Sequence, residues 1–184
     1  YKAMKDFTHY TVMKNEAVDA LNCKDGLVYV DCTLGGGGHS ELILQRISPN
    51  GKLISFDIDQ DAIDAASERL KAYKNLTIVK DSYTNVKQVL KNLGIEKITG
   101  GILFDLGASY HQLTKQERGF SFSKEAPLDM RFNMDSNFSA YDVVNDYSED
   151  ELVKIFSEYG EERFSKRIAK KIVEQRKIKK LETT

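Results

Sequence analysis

At 184 residues the chain is long enough to bury one full core with a small appendage, but not two large domains. Its 41% hydrophobic and 30% charged residues exclude a disordered chain. A net charge of −1 does not by itself announce a nucleic-acid partner, two cysteines build no disulfide framework, and no apolar run approaches the ~20 residues that span a bilayer. Tyr1-Lys2-Ala3-Met4-Lys5-Asp6 lacks the apolar stretch of a secretory signal. Cys23 and Cys32 have no metal-ligand spacing, so we expect a reducing, cytoplasmic setting, with no membrane and no metal.

In chain order, Leu27-Val28-Tyr29-Val30-Asp31 predicts a buried strand, followed by the turn Cys32-Thr33-Leu34-Gly35-Gly36-Gly37-Gly38-His39-Ser40 and a helical pattern at Leu42, Ile43 and Ile47. Asn50-Gly51 marks a turn before a second strand, Leu53-Ile54-Ser55-Phe56-Asp57. A helix from Asp61 to Tyr73 carries Ala62, Ile63, Ala66 and Leu70 on one face. Leu76 to Val79 is a third strand, Val86, Val89, Leu90 and Leu93 a further helix closed by Gly94, and Gly101 to Asp105 a fourth strand. Strands alternating with helices predict an α/β fold, a Rossmann-like, doubly wound parallel sheet.

The pattern changes after Asp105. From Leu106 to Asn145 the chain is polar and aromatic with little periodicity. Helices return with the capping box Ser148-Glu149-Asp150-Glu151 ahead of Leu152, Ile155 and Phe156, a stop at Gly160, and a last helix bearing Phe164, Ile168, Ile172 and Val173. The expected division is residues 1–105, a cofactor-binding sheet domain, and residues 106–184, a loop-rich, mainly helical second domain.

Three features fall at carboxyl ends of strands, where open α/β sheets bind ligands. The glycine turn lets a ligand approach the backbone closely. Asp57, about twenty residues further on, is placed to accept from both hydroxyls of an adenosine ribose. Asp105 ends the fourth strand. Asp57 could instead cap the next helix, although Asp61 is the better candidate. Nicotinamide dehydrogenases and methyltransferases share this arrangement. Here the third glycine of the dinucleotide fingerprint is replaced by Ser40, and the first strand ends in Asp31. An acid before the turn suits a cationic sulfonium and amino group better than a pyrophosphate. An NAD-dependent oxidoreductase remains the alternative on the local motif. His39 reads as a turn residue near a cofactor, and His9 and His111 as isolated.

Seven stretches resemble the RsmH (MraW) family of S-adenosylmethionine-dependent small-subunit ribosomal RNA cytidine-N4 methyltransferases. They are His9-Tyr10-Thr11-Val12-Met13; the turn through Ser40; Phe56-Asp57-Ile58-Asp59; Asp105-Leu106-Gly107 with Gln112-Leu113; Glu117-Arg118-Gly119-Phe120-Ser121-Phe122; Pro127-Leu128-Asp129-Met130-Arg131; and Tyr159-Gly160-Glu161-Glu162-Arg163-Phe164 into Arg167-Ile168-Ala169. The resemblance implies cofactor contacts at Gly37, Gly38, His39, Asp57, Tyr83, Asp105 and Gln112, with the Tyr83 ring packing against adenine. It also implies a helical domain inserted after the fourth strand, and small-subunit ribosomal RNA or an assembling small subunit as partner. Two departures stand out. The family's small residue, serines and proline after Asp105-Leu106-Gly107 are replaced by Ala108-Ser109-Tyr110-His111, and the family's chain continues past the point matching Thr184 to supply further strands. This implies a truncated chain with an incomplete sheet, and leaves a non-catalytic RNA-binding fragment as a further alternative.

For methyl transfer, Asp105 is the candidate catalytic residue, accepting a hydrogen bond from the cytosine amine; it could equally serve only the cofactor. Tyr110, Phe120 and Phe122 are candidate stacking platforms. Arg118, Arg131 and the nine basic residues between Arg163 and Lys180, against the single acid Glu174, are candidate phosphate contacts, if they are not merely a solvated face.

Overall fold

The computed structural model describes residues 11–184, so His9 and Tyr10 of the first motif lie outside the described residues. The chain divides into two compact units, the first ending at His111 and the second running from Gln112 to Thr184. The break comes a few residues beyond Asp105. His111 Nε2 lies 3.6 Å from the Asp61 carboxylate, a contact within the first unit.

Among its described residues the first unit holds four parallel strands, β1 (Val28–Asp31), β2 (Lys52–Asp57), β3 (Leu76–Lys80) and β4 (Gly101–Leu103), in the order β3-β2-β1-β4. Strand alternation sends Tyr29, Leu53 and Leu103 to one face. There they meet Val18 of α1 (Lys14–Ala20), Ile43, Leu44 and Ile47 of α2 (Gly38–Ile47), and Ala66 and Leu70 of α3 (Gln60–Leu70). Val30, Cys32, Ile54 and Phe56 point to the other face, against Leu90 of α4 (Val86–Asn92). Each of these fully buried aliphatic or aromatic side chains contributes ~1.5–3 kcal/mol of transfer free energy. The sheet is therefore doubly wound, as the alternation of elements predicts. The chain runs outward from β1 through β2 to β3, then crosses back to place β4 on the far side of β1. The strand order reverses between β1 and β4, which puts a crevice at the carboxyl ends of that pair.

In the first unit, α1 has no counterpart in the sequence pattern. It buries a single residue, Val18, so its seven residues carry almost no periodic signal.

The second unit comprises α5 (Tyr110–Thr114, which straddles the boundary), α6 (Ala140–Asp146), α7 (Glu149–Lys154) continuing into a π turn at Ile155–Tyr159, and α8 (Ser165–Arg176). The capping box at Ser148 and Glu151 forms as its sequence predicts, and a second one caps α6 at Ser139 and Asp142. Arg118 fills part of this small core, only 2% exposed, and its guanidinium donates to the carbonyls of Arg131 and Phe132 at 2.9 and 3.1 Å. Arg131 grips Asp129 through two bonds of 2.9 and 2.7 Å and donates to the Ser136 carbonyl at 2.5 Å. These paired guanidinium contacts hold an irregular segment that no helix or strand ladder organises.

Candidate cofactor site

The turn after β1 is built by hydrogen bonds that converge from three strands. Leu34 N–H donates to the Phe56 carbonyl of β2 at 2.9 Å, and Cys32 N–H to the Leu103 carbonyl of β4 at 2.9 Å. Gly37 has φ +77°, a left-handed conformation that glycine adopts without strain, and it leads directly into α2. A Cβ on Gly38 would run into the Thr11 side chain, so the Thr11-Val12-Met13 segment lies directly over the turn. From α3, Arg69 donates to the Gly36 carbonyl at 3.2 Å and pairs with Glu41 at 2.5 Å.

Asp57 is held by three backbone donors. Gly35 N–H reaches one carboxylate oxygen at 2.8 Å, and the N–H groups of Ile58 and Asp59 reach the other at 2.8 and 2.9 Å. This locks the carboxylate toward the glycine turn, although burial still pushes its pKa above the ordinary range against the pull of these amides. The cap of α3 is neither Asp57 nor Asp61 but Asp59, whose side chain accepts from Asp61 N–H at 3.1 Å. Sequence spacing alone could not separate three aspartates within five positions.

Asp31 is fully buried behind the turn. It accepts from Thr33 N–H at 3.1 Å and from the Ser40 hydroxyl at 2.7 Å, and Ser40 lies 2.8 Å from the Ser55 hydroxyl of β2. Burial pushes its carboxyl above the usual range. Ser40, where the dinucleotide fingerprint wants glycine, thus anchors a buried carboxylate. Cys32 is inert by the same physics: burial, with the Asp31 charge beside it, raises its thiol to about 11.

Thr33 links the two sides of the crevice. Its hydroxyl oxygen accepts Asp105 N–H at 2.8 Å, fixing the backbone at the end of β4 against the turn after β1. His39, buried in the first turn of α2, places Nε2 3.1 Å from the Val12 carbonyl and Nδ1 3.9 Å from the Asp105 carboxylate. A carbonyl only accepts, so Nε2 carries a hydrogen. Tyr83 sits in the 3-10 turn after β3 (Tyr83–Asn85). Its ring is 39% exposed and meets Phe104 edge-on, with centroids 5.6 Å apart.

Among the predicted contacts, the first unit brings Gly37, Gly38, His39, Asp57, Tyr83 and Asp105 to the carboxyl ends of its strands. Gln112 belongs to the second unit, buried in α5. Ser40 stands out in the sequence only as a departure from the dinucleotide fingerprint, and Thr33 and Val12 only as parts of motifs; the bonds that Thr33 and Ser40 make through single hydroxyls join distant segments, a relation that no local pattern carries. Of the predicted stacking rings, Phe120 packs on Phe132 at 5.3 Å, while Tyr110 and Phe122 are exposed. Arg118 and Arg131, expected on phosphates, are committed to the carbonyls and carboxylate described above. Among the described residues no group of His, Cys, Asp or Glu is arranged to hold a metal ion, and no helix is long and apolar enough to cross a membrane.

The model of the MraW methylase family matches residues 6–184. The chain belongs to that family. It is 53% identical over 179 residues to a ribosomal RNA small subunit methyltransferase H of Clostridium botulinum (strain Loch Maree / Type A3), covering 97% of this chain and 58% of that protein. It is 50% identical over 180 residues to the protein of the same name from Clostridioides difficile (strain 630), with the same coverage. The chain thus spans just over half the length of these relatives. Among solved structures, an rRNA methylase from Streptococcus thermophilus aligns over 65% of this chain and 71% of its own at 19% identity, with a TM-score of 0.45.

Proposed function

We propose that this protein is an S-adenosylmethionine-dependent methyltransferase of the cytoplasm that methylates the N4 amine of a cytidine in small-subunit ribosomal RNA. The observation that carries the cofactor half is the convergence at the switch point of β1 and β4. There a glycine turn, a carboxylate locked by three amides (Asp57) and a second acidic strand end fixed by a hydroxyl (Asp105) meet within one crevice. The names of the curated relatives support small-subunit ribosomal RNA as the substrate, and the resemblance of the motifs supports the cytidine N4 amine.

The residues fit an adenosyl sulfonium. Asp57 would take the ribose hydroxyls, and Tyr83 and Phe104 offer ring surface for adenine. The Asp105 carboxylate, 3.9 Å from His39 Nδ1, suits an N–H donor, whether the amino group of the cofactor or the cytosine amine. Buried Asp31, with Asp57 and Asp105, puts three carboxylates around the turn, which favours a cation there and opposes a diphosphate. The nicotinamide alternative loses its support on that ground.

When bound, the cofactor supplies an already activated methyl group, so transfer requires in-line attack without a covalent enzyme intermediate. The chain's part is then orientation. Asp105, steadied by Thr33, accepts from the amine and favours a more pyramidal nitrogen whose lone pair is less delocalised. The target base leaves its stack to reach it. The test is mass spectrometry of small-subunit ribosomal RNA from cells with and without the gene. Loss of N4-methylcytidine is expected; its retention, with S-adenosylhomocysteine still bound by the protein, would leave the non-catalytic RNA-binding reading.

A further inference from the structure

We infer that one exposed flank of α8 is a seat for single-stranded RNA, with Phe164 as a stacking platform at one end; this rests on the ribosomal RNA reading above and assigns it a surface. The sequence supplies many cations here, and the structure sorts them. Arg176 donates to the carbonyls of Val144 and Tyr147 at 2.7 and 2.5 Å, closing the end of α6, and Lys180 lies 5.5 Å over the Tyr141 ring. Both serve the fold. Lys171 pairs with Glu174 at 3.2 Å, which accounts for the one acid in the stretch.

What is left is a row. Ser165 and Ala169 are buried, with Ile172 and Val173 half-buried on the same stripe. At 3.6 residues per turn, Lys166, Lys170 and Lys177 lie within ~40° of one another about the helix axis, along the flank that borders Val173, and with Arg163 and Arg167 they make five exposed cations. From Lys166 to Lys177 the row is ~16 Å long, a few nucleotides of backbone. Its charge contrasts with a chain whose net charge is only −1.

Aromatic rings stand at its start. Phe164 is 58% exposed, and the Arg167 guanidinium lies 4.7 Å over its centroid; Tyr159, 77% exposed, closes the preceding π turn. A ring left open to solvent and backed by a guanidinium is a surface on which an unstacked base settles, while the lysines follow the phosphates. The chemistry argues against other anions. A membrane-lying helix needs a wide apolar face, and the apolar stripe of α8 is turned into its own unit. An acidic peptide would use the lysines but not the platform. A duplex keeps its bases stacked and would likewise ignore Phe164. Acids at the turn, Glu158, Glu161 and Glu162, bound the row at its N-terminal end; Glu162 is itself engaged, accepting Phe164 N–H at 2.7 Å.

The test is fluorescence anisotropy of the 184-residue chain with a short labelled single-stranded RNA, with the same sequence as a duplex, and with polyglutamate as competitor, over a range of potassium chloride. Combining Lys166→Gln, Lys170→Gln and Lys177→Gln should lower the slope of log affinity against log salt by about 2, at ~0.7 for each phosphate that is no longer neutralised. Phe164→Ala should weaken the single strand about tenfold and leave the duplex unchanged. Titration with S-adenosylhomocysteine should be unaffected in every variant, which separates this surface from the cofactor site. If the parent binds RNA but not S-adenosylhomocysteine, the methyltransferase reading fails and the surface stands. An unchanged slope in the triple variant overturns the inference, as does competition by polyglutamate equal to that by RNA. Should the triple variant lose its helical circular dichroism, single Lys166→Gln and Lys170→Gln variants decide, each expected to lower the slope by ~0.7.

Discussion

Replacing Thr33 by valine isolates the hydrogen bond that ties the turn after β1 to the end of β4. The two side chains have nearly the same shape, so packing is kept and only the acceptor for Asp105 N–H is removed. That donor is partly buried, and leaving it unsatisfied costs ~1–3 kcal/mol. In a protein of this length the loss corresponds to a fall in melting temperature of about 2–10 °C. The bond also sets where the Asp105 backbone stands, and if roughly half of its free energy reflects that placement, affinity for S-adenosylhomocysteine drops roughly two- to tenfold. Thr33→Ser keeps the oxygen and should recover most of both quantities. Thermal unfolding and isothermal titration of the three proteins make the comparison. A valine variant as stable and as tight-binding as the parent, or a serine variant no better than valine, would refute the assignment.

Two further outcomes follow from the charged groups. Burial raises the Asp31 carboxyl above the ~3.9 of an unfolded chain, so over the window between the two values the folded protein keeps a proton that the unfolded chain has released. Stability contributed by Asp31 therefore falls as pH rises through that window. Asp57 adds to the same slope, whereas Asp129, whose carboxyl is held low chiefly by Arg131, opposes it. Urea unfolding of parent and Asp31→Asn across acidic to neutral pH should show the variant gaining on the parent as pH rises while binding S-adenosylhomocysteine more weakly; parallel curves would contradict this. Arg118→Gln should destabilise the second unit by ~2–4 kcal/mol, since carbonyls of Arg131 and Phe132 lose a buried charged donor, yet leave the salt slope of RNA binding unchanged. A reduced slope with intact stability would return Arg118 to the phosphate contacts.

The parallel sheet was legible because buried strands announce themselves as short apolar runs, and Asp57 was legible because such a run ends in it. The fourth run reads as ending in Asp105, whereas β4 ends at Leu103 and Asp105 stands in the loop just beyond. What supports these acids was not legible. Thr33 and Ser40 act through single hydroxyls on partners 72 and nine positions away, and Val12 acts through a carbonyl that any residue would offer. Cations were the least legible class. Arg118, Arg131 and Arg176 read as solvated or phosphate-binding in a polar stretch, yet each donates to backbone carbonyls, because a loop-rich unit with few apolar residues uses guanidinium groups to satisfy its main chain. The family's motifs flag that these positions matter without saying whether they serve substrate or fold.

Isothermal titration of the chain with S-adenosylhomocysteine and, separately, with NAD tests the central claim most directly. One-to-one binding of S-adenosylhomocysteine and none of NAD is expected. Asp57→Ala should lose at least ~100-fold in affinity, because each ribose hydroxyl donating to a carboxylate contributes ~1.5–3 kcal/mol. Binding of NAD without S-adenosylhomocysteine, or an Asp57→Ala protein with unchanged affinity, would contradict it.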